Sequence, residues 1–314
     1  MAVGRSVRER LKQGLPFAVS LGILGGLLAR FDLGAVLAAF EPRTALGLAG
    51  ALAIYGIVSL ALEALALTRL PVGAGLALGV SVRIKAASCL LAAVHFTVGL
   101  GALSVLLRRP TGLDVGRSAG AVLMLSALDL GVLIGLSALG SVLFETRAPA
   151  LPPGLTAAVA AGGVLACVLL RAPLRLPGIE AFRSWSVLSL LAEVPLARLS
   201  ELAFWRALFC TSFVVLVGAA LYVFGVRVPA GDLVVGVLVA SLVSSLPIAV
   251  AGLGRGQAVF LYVFRGHAPA ETLLACSLAL SIGLIGMRAL MGALFAREYA
   301  REAAALSRAT EVHP

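Results

Sequence analysis

Apolar stretches long enough to cross a membrane recur along nearly the whole chain, at residues 15–31, 44–67, 86–107, 118–140, 151–170, 207–225, 233–250 and 272–295. A helix spanning a hydrocarbon core of about 30 Å needs about 20 apolar residues. The longest gap between these stretches is residues 171–206, which leaves no room for a soluble catalytic domain. Composition agrees: 61% of the 314 residues are hydrophobic and 13% charged, where a soluble domain carries about 25% charged residues. A water-soluble enzyme and a disordered chain are both excluded. The remaining charge is lopsided, 25 Lys and Arg against 15 Asp and Glu, a formal +10. In a polytopic chain that excess is expected to face anionic lipid headgroups on the cytoplasmic side, and no nucleic-acid partner is expected.

The N-terminal residues Arg5, Arg8, Arg10 and Lys12 precede the first apolar stretch in the manner of a signal peptide, but are read here as flanking an uncleaved first span. Two later stretches are interrupted. Residues 86–107 contain His95, Gly99 and Gly101, and residues 233–250 run into Pro247, Gly252, Gly254 and Gly256. Glycine and proline at such points weaken a continuous helix.

The placement of positive charge separates two arrangements. Eight full spans with a cytoplasmic N-terminus divide the arginines and lysines evenly between the two sides. If both interrupted stretches are re-entrant hairpins, one entering from each face, the inside gathers 18. These are the N-terminal four, Arg69, Arg83, Lys85, Arg108, Arg109, Arg117, Arg171, Arg175, Arg183, Arg198, Arg206, Arg297, Arg301 and Arg308. Only Arg30, Arg43, Arg147, Arg227 and Arg265 remain outside, and Arg255 and Arg288 fall at membrane depth.

The expected fold is therefore an all-α polytopic membrane protein of about six full transmembrane helices plus two oppositely oriented re-entrant hairpins. Amphipathic stretches at 32–40, 72–85 and 182–202 suit interfacial helices. Residues 1–314 read as one integral membrane domain. Its halves, 1–170 and 178–314, resemble an inverted repeat joined by the proline-rich connector 171–177. Opposed broken helices in two halves point to a midplane binding site, because irregular backbone at that depth must line a cavity or be buried in protein.

Charges inside a bilayer cost about 2.5–3.5 kcal/mol each on insertion scales, so Glu63, His95, Asp129, Arg255 and Arg288 require an account. Arg255 lies in a glycine-rich break where Gly252 and Gly254 free backbone N–H groups and a helix start adds a positive dipole end. That combination suits an anion, with Gln257 beside it, and the anion resident in a membrane is a lipid phosphate. Arg288 is a second phosphate contact or a partner for Asp129. Asp129 either neutralises an arginine or relays a proton, Glu63 either tunes charge or reaches the interface, and His95 either titrates or packs. Gly131 and Gly135 have the spacing that lets helices approach closely. Cys89, Cys167, Cys210 and Cys276 all lie in apolar runs without metal-ligand spacing, so inert thiols and no metal are expected. No nucleophile elbow, Walker loop or zinc motif is present, and neither enzymatic activity nor a cofactor is expected.

Arg30-Phe31-Asp32-Leu33-Gly34 and above all Leu246-Pro247-Ile248-Ala249-Val250-Ala251-Gly252-Leu253-Gly254-Arg255-Gly256-Gln257 resemble the membrane domain of lysylphosphatidylglycerol synthases and their stand-alone flippase-like relatives. Leu246, Pro247, Gly252 and Gly254 match the family motif directly. Ala251 replaces a glycine, the arginine stands one place early, and Gln257 replaces a glutamate. Asp129 matches the aspartate of an R-x-x-D element in which Ser126 occupies the arginine position. The resemblance implies movement of a phospholipid or isoprenoid-type anionic lipid between the leaflets of a bacterial-type inner membrane; the charge placement expects both termini cytoplasmic. Arg255, Gly252, Gly254, Gln257 and Arg288 would hold the headgroup, and Asp129, Glu63 and His95 would tune the charge around it. The alternative is a non-transporting scaffold for a lipid-modifying enzyme. Expected partners are membrane lipids, with a second copy of the chain or such an enzyme as further candidates.

Overall fold

In the computed structural model of the chain, the described residues are 41–70, 75–94, 96–145, 194–245 and 255–295. They form eight helices and no strands: α1 (Pro42–Thr68), α2 (Leu78–Val94), α3 (Phe96–Thr111), α4 (Val115–Leu143), α5 (Leu196–Val223), α6 (Ala230–Ser245), α7 (Arg255–Phe264) and α8 (Ala270–Leu294). Four of them, α1, α4, α5 and α8, are long and apolar enough to cross a membrane. At a rise of 1.5 Å per residue even α8, with 25 residues, extends about 37 Å, beyond the hydrocarbon thickness. Their outward faces carry large apolar side chains, among them Leu46, Ile54 and Ile57 on α1 and Leu290 and Leu294 on α8. Such faces are stable against lipid and costly against water. The chain is a helical membrane protein.

Helix ends follow local chemistry. Gly225 adopts a positive φ of 75° just past α5. Its N–H donates to the Tyr222 carbonyl at 2.9 Å, and the Val226 N–H donates to the Leu221 carbonyl at 2.8 Å. This is the paired-bond helix stop that favours glycine, and buried Val226 and Leu221 supply its apolar contact. Gly112, at φ 70°, ends α3 through one bond to the Arg108 carbonyl. Two residues later Asp114 caps α4, its Oδ1 accepting from the Arg117 N–H at 3.2 Å.

The described residues group into two compact units, each drawing on both halves of the chain. One contains the described residues of 41–51, 137–145 and 214–283; the other contains those of 52–136, 194–213 and 284–295.

In the second unit the interrupted stretch is two helices. A Cβ added to Gly99 would lie 2.7 Å from the Ala92 Cα, although residues seven apart in a straight helix stand about 10 Å apart. The chain therefore reverses between them, and α2 packs on α3. One buried core collects Leu67 at the end of α1 and Leu70 just past it, Leu76 before α2, Leu106 and Leu107 late in α3, Val122 early in α4, and Val194 and Leu202 around the start of α5. The α2–α3 pair thus begins and ends at the same end of this unit. Arg69, Arg108, Arg117 and Arg198 belong to the segments flanking that core, and Glu201 receives both Arg198 (2.7 Å) and Arg69 (3.2 Å).

In the first unit α6 packs on α7, and a Cβ on Gly236 would lie 2.5 Å from Val263 Cγ1. Helices α2, α3, α6 and α7 have 17, 16, 16 and 10 residues, so none exceeds about 26 Å, short of the hydrocarbon thickness.

Several boundaries differ from the sequence reading. The amphipathic residues 78–85 and 196–202 are continuous with α2 and α5 rather than separate interfacial helices. A Cβ added to Gly131 or Gly135 would meet nothing within 4 Å, so they do not mark a close helix contact within the described structure. The stretches 15–31, 32–40 and 151–170, the connector 171–177, and residues 246–254 of the second break lie outside the described residues.

Candidate functional site

The second unit holds a chain of four charges supplied by four different helices. Asp129 is the fifteenth of the 29 residues of α4 and so lies at the helix midpoint. Arg206 of α5 donates to it from both Nε and Nη2, one nitrogen to each carboxylate oxygen. This side-on fork satisfies a planar guanidinium and a carboxylate together. Arg206 is only 6% exposed, and its guanidinium also stands over the Phe209 ring, 4.9 Å from the centroid. Its remaining terminal nitrogen, Nη1, faces Glu63 Oε1 of α1 at 3.9 Å. That distance is too long for a hydrogen bond. The same oxygen is held at 2.8 Å by Lys85 Nζ of α2. The order Asp129, Arg206, Glu63, Lys85 alternates in sign and sums to zero, which is how charge persists where water is scarce.

The structure thus brings Asp129 and Glu63, two of the sequence candidates, to either side of Arg206, with Lys85 on Glu63; the count of positive charge had placed both cations on the cytoplasmic side. Arg206 is not a loop residue: α5 begins at Leu196, ten residues before it, and continues through the apolar stretch. Leu202, Arg206, Cys210 and Val217 are all buried on α5. Extending the helical period upstream from residue 207 would have placed Arg206 on that inward stripe. Lys85 shows the same signal on α2, with Ser81 and Cys89 four residues to either side and both buried.

The partner expected for Asp129, Arg288, is replaced by Arg206. Arg288 is half-buried on α8, in electrostatic reach of the Tyr55 hydroxyl, and is not ion-paired among the described residues. Tyr55 itself stacks at an angle on Phe213, with centroids 5.9 Å apart.

The other headgroup candidates fall in the first unit. Arg255 opens α7. Gln257 is fully buried in the first turn of α7 and donates from Nε2 to Ser281 Oγ of α8 at 3.0 Å. Ser281 in turn donates to the Ser277 carbonyl at 2.8 Å, so Gln257 ties α7 to α8. Gly252, Gly254 and His95 lie outside the described residues. A pair that sequence reading did not select lies at the α6 start and the α7–α8 turn, where His267 Nε2 and Asp232 Oδ2 are 3.1 Å apart. No cluster of His, Cys, Asp and Glu suited to a metal occurs among the described residues.

Comparison with protein-family models, with curated proteins and with solved structures finds no match to this chain.

Proposed function

We propose that this protein moves an anionic phospholipid or isoprenoid-type lipid between the leaflets of a bacterial-type inner membrane. The observation that carries the reading is the paired charge chain Glu63, Lys85, Asp129 and Arg206, set on helices of membrane-spanning character and on the short helix α2. Ionisable residues at that depth are rare, and they mark pathways for polar cargo. The tails of a lipid can remain in the bilayer while its headgroup crosses, and the headgroup is the part that needs polar surroundings.

Two further features support the reading. The α2–α3 and α6–α7 pairs are each built from helices too short to span, as the re-entrant hairpins of this reading require. The Leu246-to-Gln257 motif resembles that of flippase-like membrane domains. In this reading Arg255, Gly252, Gly254, Gln257 and Arg288 contact the headgroup, and both termini are cytoplasmic.

Reconstituted into vesicles, the wild-type chain is expected to accelerate exchange of labelled phosphatidylglycerol between leaflets, and Arg255→Ala to slow that exchange about tenfold, the loss of a charge-assisted hydrogen bond. Wild-type exchange equal to that of protein-free vesicles overturns the transport reading. Undiminished exchange by Arg255→Ala removes that residue from the headgroup path.

Topology has its own test. With the four native cysteines replaced, single cysteines at Val115 and Ala197 are expected to resist an impermeant thiol reagent applied to intact cells and to react once the membrane is permeabilised. Reaction of either from outside overturns the α2–α3 re-entrant arrangement.

A second reading, a non-transporting scaffold for a lipid-modifying enzyme, is favoured by the completeness with which Asp129 and Arg206 satisfy each other. Recovery of a stable enzyme partner, together with no lipid exchange, would establish it.

A further inference from the structure

We infer that Lys85 and Arg206 form an anion site for a phosphate group and that the Glu63 carboxylate occupies it in the state described. The inference rests on the reading that an anionic lipid is the ligand, and it places a phosphate subsite in the unit that contains Asp129. Three observations carry it.

First, a single oxygen, Glu63 Oε1, lies between two cations, 2.8 Å from Lys85 Nζ and 3.9 Å from Arg206 Nη1. It bonds the first and falls short of the second. The carboxylate is therefore an imperfect fit for a position with two donors. Second, those distances put the two nitrogens no more than about 7 Å apart. Two oxygens of one tetrahedral phosphate can bridge such a gap with a charge-assisted bond at each end, which one carboxylate oxygen cannot do. Third, the other face of the guanidinium is committed. Nε and Nη2 are held by Asp129, so Arg206 is fixed in place and Nη1 is the donor left pointing at the site. An incoming anion can take that donor without disturbing the bonds to Asp129.

Access is asymmetric in a useful way. The Arg206 side chain is 8% exposed, while those of Lys85 and Glu63 are 18% and 15% exposed. A ligand therefore reaches the Lys85 and Glu63 end first. Glu63 sits near the C-terminal end of α1, six residues from Thr68 when counted inclusively, and its side chain can rotate away without unwinding α1. Displacing Glu63 exchanges one anion for another between the same two cations, so the net charge of the buried cluster is unchanged when a monoanionic phosphodiester replaces it. The carboxylate then acts as a resident competitor that keeps the cations paired when no headgroup is present.

The test uses the full chain in phosphatidylcholine nanodiscs containing a minor fraction of phosphatidylglycerol. Phosphatidylglycerol retained per protein is measured by native mass spectrometry after transfer to detergent, and thermal unfolding is followed in parallel to establish folding. Glu63→Gln keeps the shape and removes the competing charge, and it is expected to raise retention about tenfold, the value of one charge-assisted bond. Glu63→Gln combined with Lys85→Met restores the charge balance and is expected to return retention to the wild-type level.

Equal retention by wild type and a folded Glu63→Gln protein overturns the site. So does a gain that survives removal of Lys85. If Glu63→Gln unfolds, Lys85→Met on its own provides the reading, with reduced retention expected and unchanged retention overturning the site. Inorganic phosphate added during transfer separates the sources. Retention that resists it assigns the site to the lipid headgroup, displacement assigns it to free phosphate, and both results support an anion site. Leaflet exchange on the same preparations separates this inference from the transport reading. Exchange without the Glu63→Gln gain removes the site and leaves transport, while the gain without exchange leaves the site and removes transport.

Discussion

Arg206→Met is expected to destabilise the protein by about 3–5 kcal/mol, the cost of leaving a buried charge without its partner. The substitution keeps most of the side-chain volume, so the loss comes from electrostatics rather than from a cavity. Asp129 would lose both of its charge-assisted bonds at the midpoint of α4, where an apolar surrounding offers few substitutes. Glu63 would keep Lys85 at 2.8 Å and is affected less.

The double variant Arg206→Met/Asp129→Leu separates pairing from packing. With both charges gone no uncompensated group remains, and replacement of a buried ion pair by apolar side chains of similar size is often neutral. Most of the lost stability is therefore expected to return. Denaturant titration in detergent micelles, followed by circular dichroism, measures all three proteins. A single-variant loss below about 1 kcal/mol, the range of surface ion pairs, would show that the pair is not buried as described.

Gly292→Ala is expected to cost about 1–3 kcal/mol, the range for overpacking a filled interior. It adds one carbon to α8. That carbon would overlap the backbone N and Cα of Leu90 on α2, and backbone atoms cannot rotate aside as a side chain can. The helices must separate or α2 must bend. Gly286→Ala, six residues earlier on the same helix, meets nothing within 4 Å. It should gain a few tenths of a kcal/mol to about 1 kcal/mol, because alanine is the better helix former. Opposite signs from two identical substitutions on one helix, read by thermal unfolding, isolate the close approach of α8 to Leu90. A neutral result at Gly292 would contradict that approach.

The long helices were legible because hydropathy alone sets them. The stretches 44–67, 118–140 and 272–295 correspond to α1, α4 and α8 within three residues at each end. The interruption of 86–107 was legible, but not its place: Gly99 and Gly101 lie within α3, and the two helices part between Val94 and Phe96. The start of α5 was not legible. Residues 196–206 carry Arg198, Glu201 and Arg206, and a hydropathy window that counts charges places such a segment outside the membrane. It cannot register that each of these charges has a partner. Glu201 is paired with Arg69 and Arg198, and Arg206 with a residue 77 positions away.

The same limit explains the candidate site. Asp129 and Glu63 could be singled out by depth alone, because a carboxylate in an apolar run is costly wherever it points. Their partners depend on which helix faces are apposed. Helical periodicity tells which side of α5 is apolar, but not that α4 lies against that side. Composition and spacing by themselves determined that this chain is a helical membrane protein, where three of its long helices run and which two further apolar stretches carry helix-weakening residues. Those properties follow from the thickness of the bilayer and the backbone preferences of glycine and proline, which act locally. Only the tertiary structure decided that Asp129 meets Arg206 and that Glu63 lies between Arg206 and Lys85, because electrostatic pairing acts through space between helices that are distant in sequence.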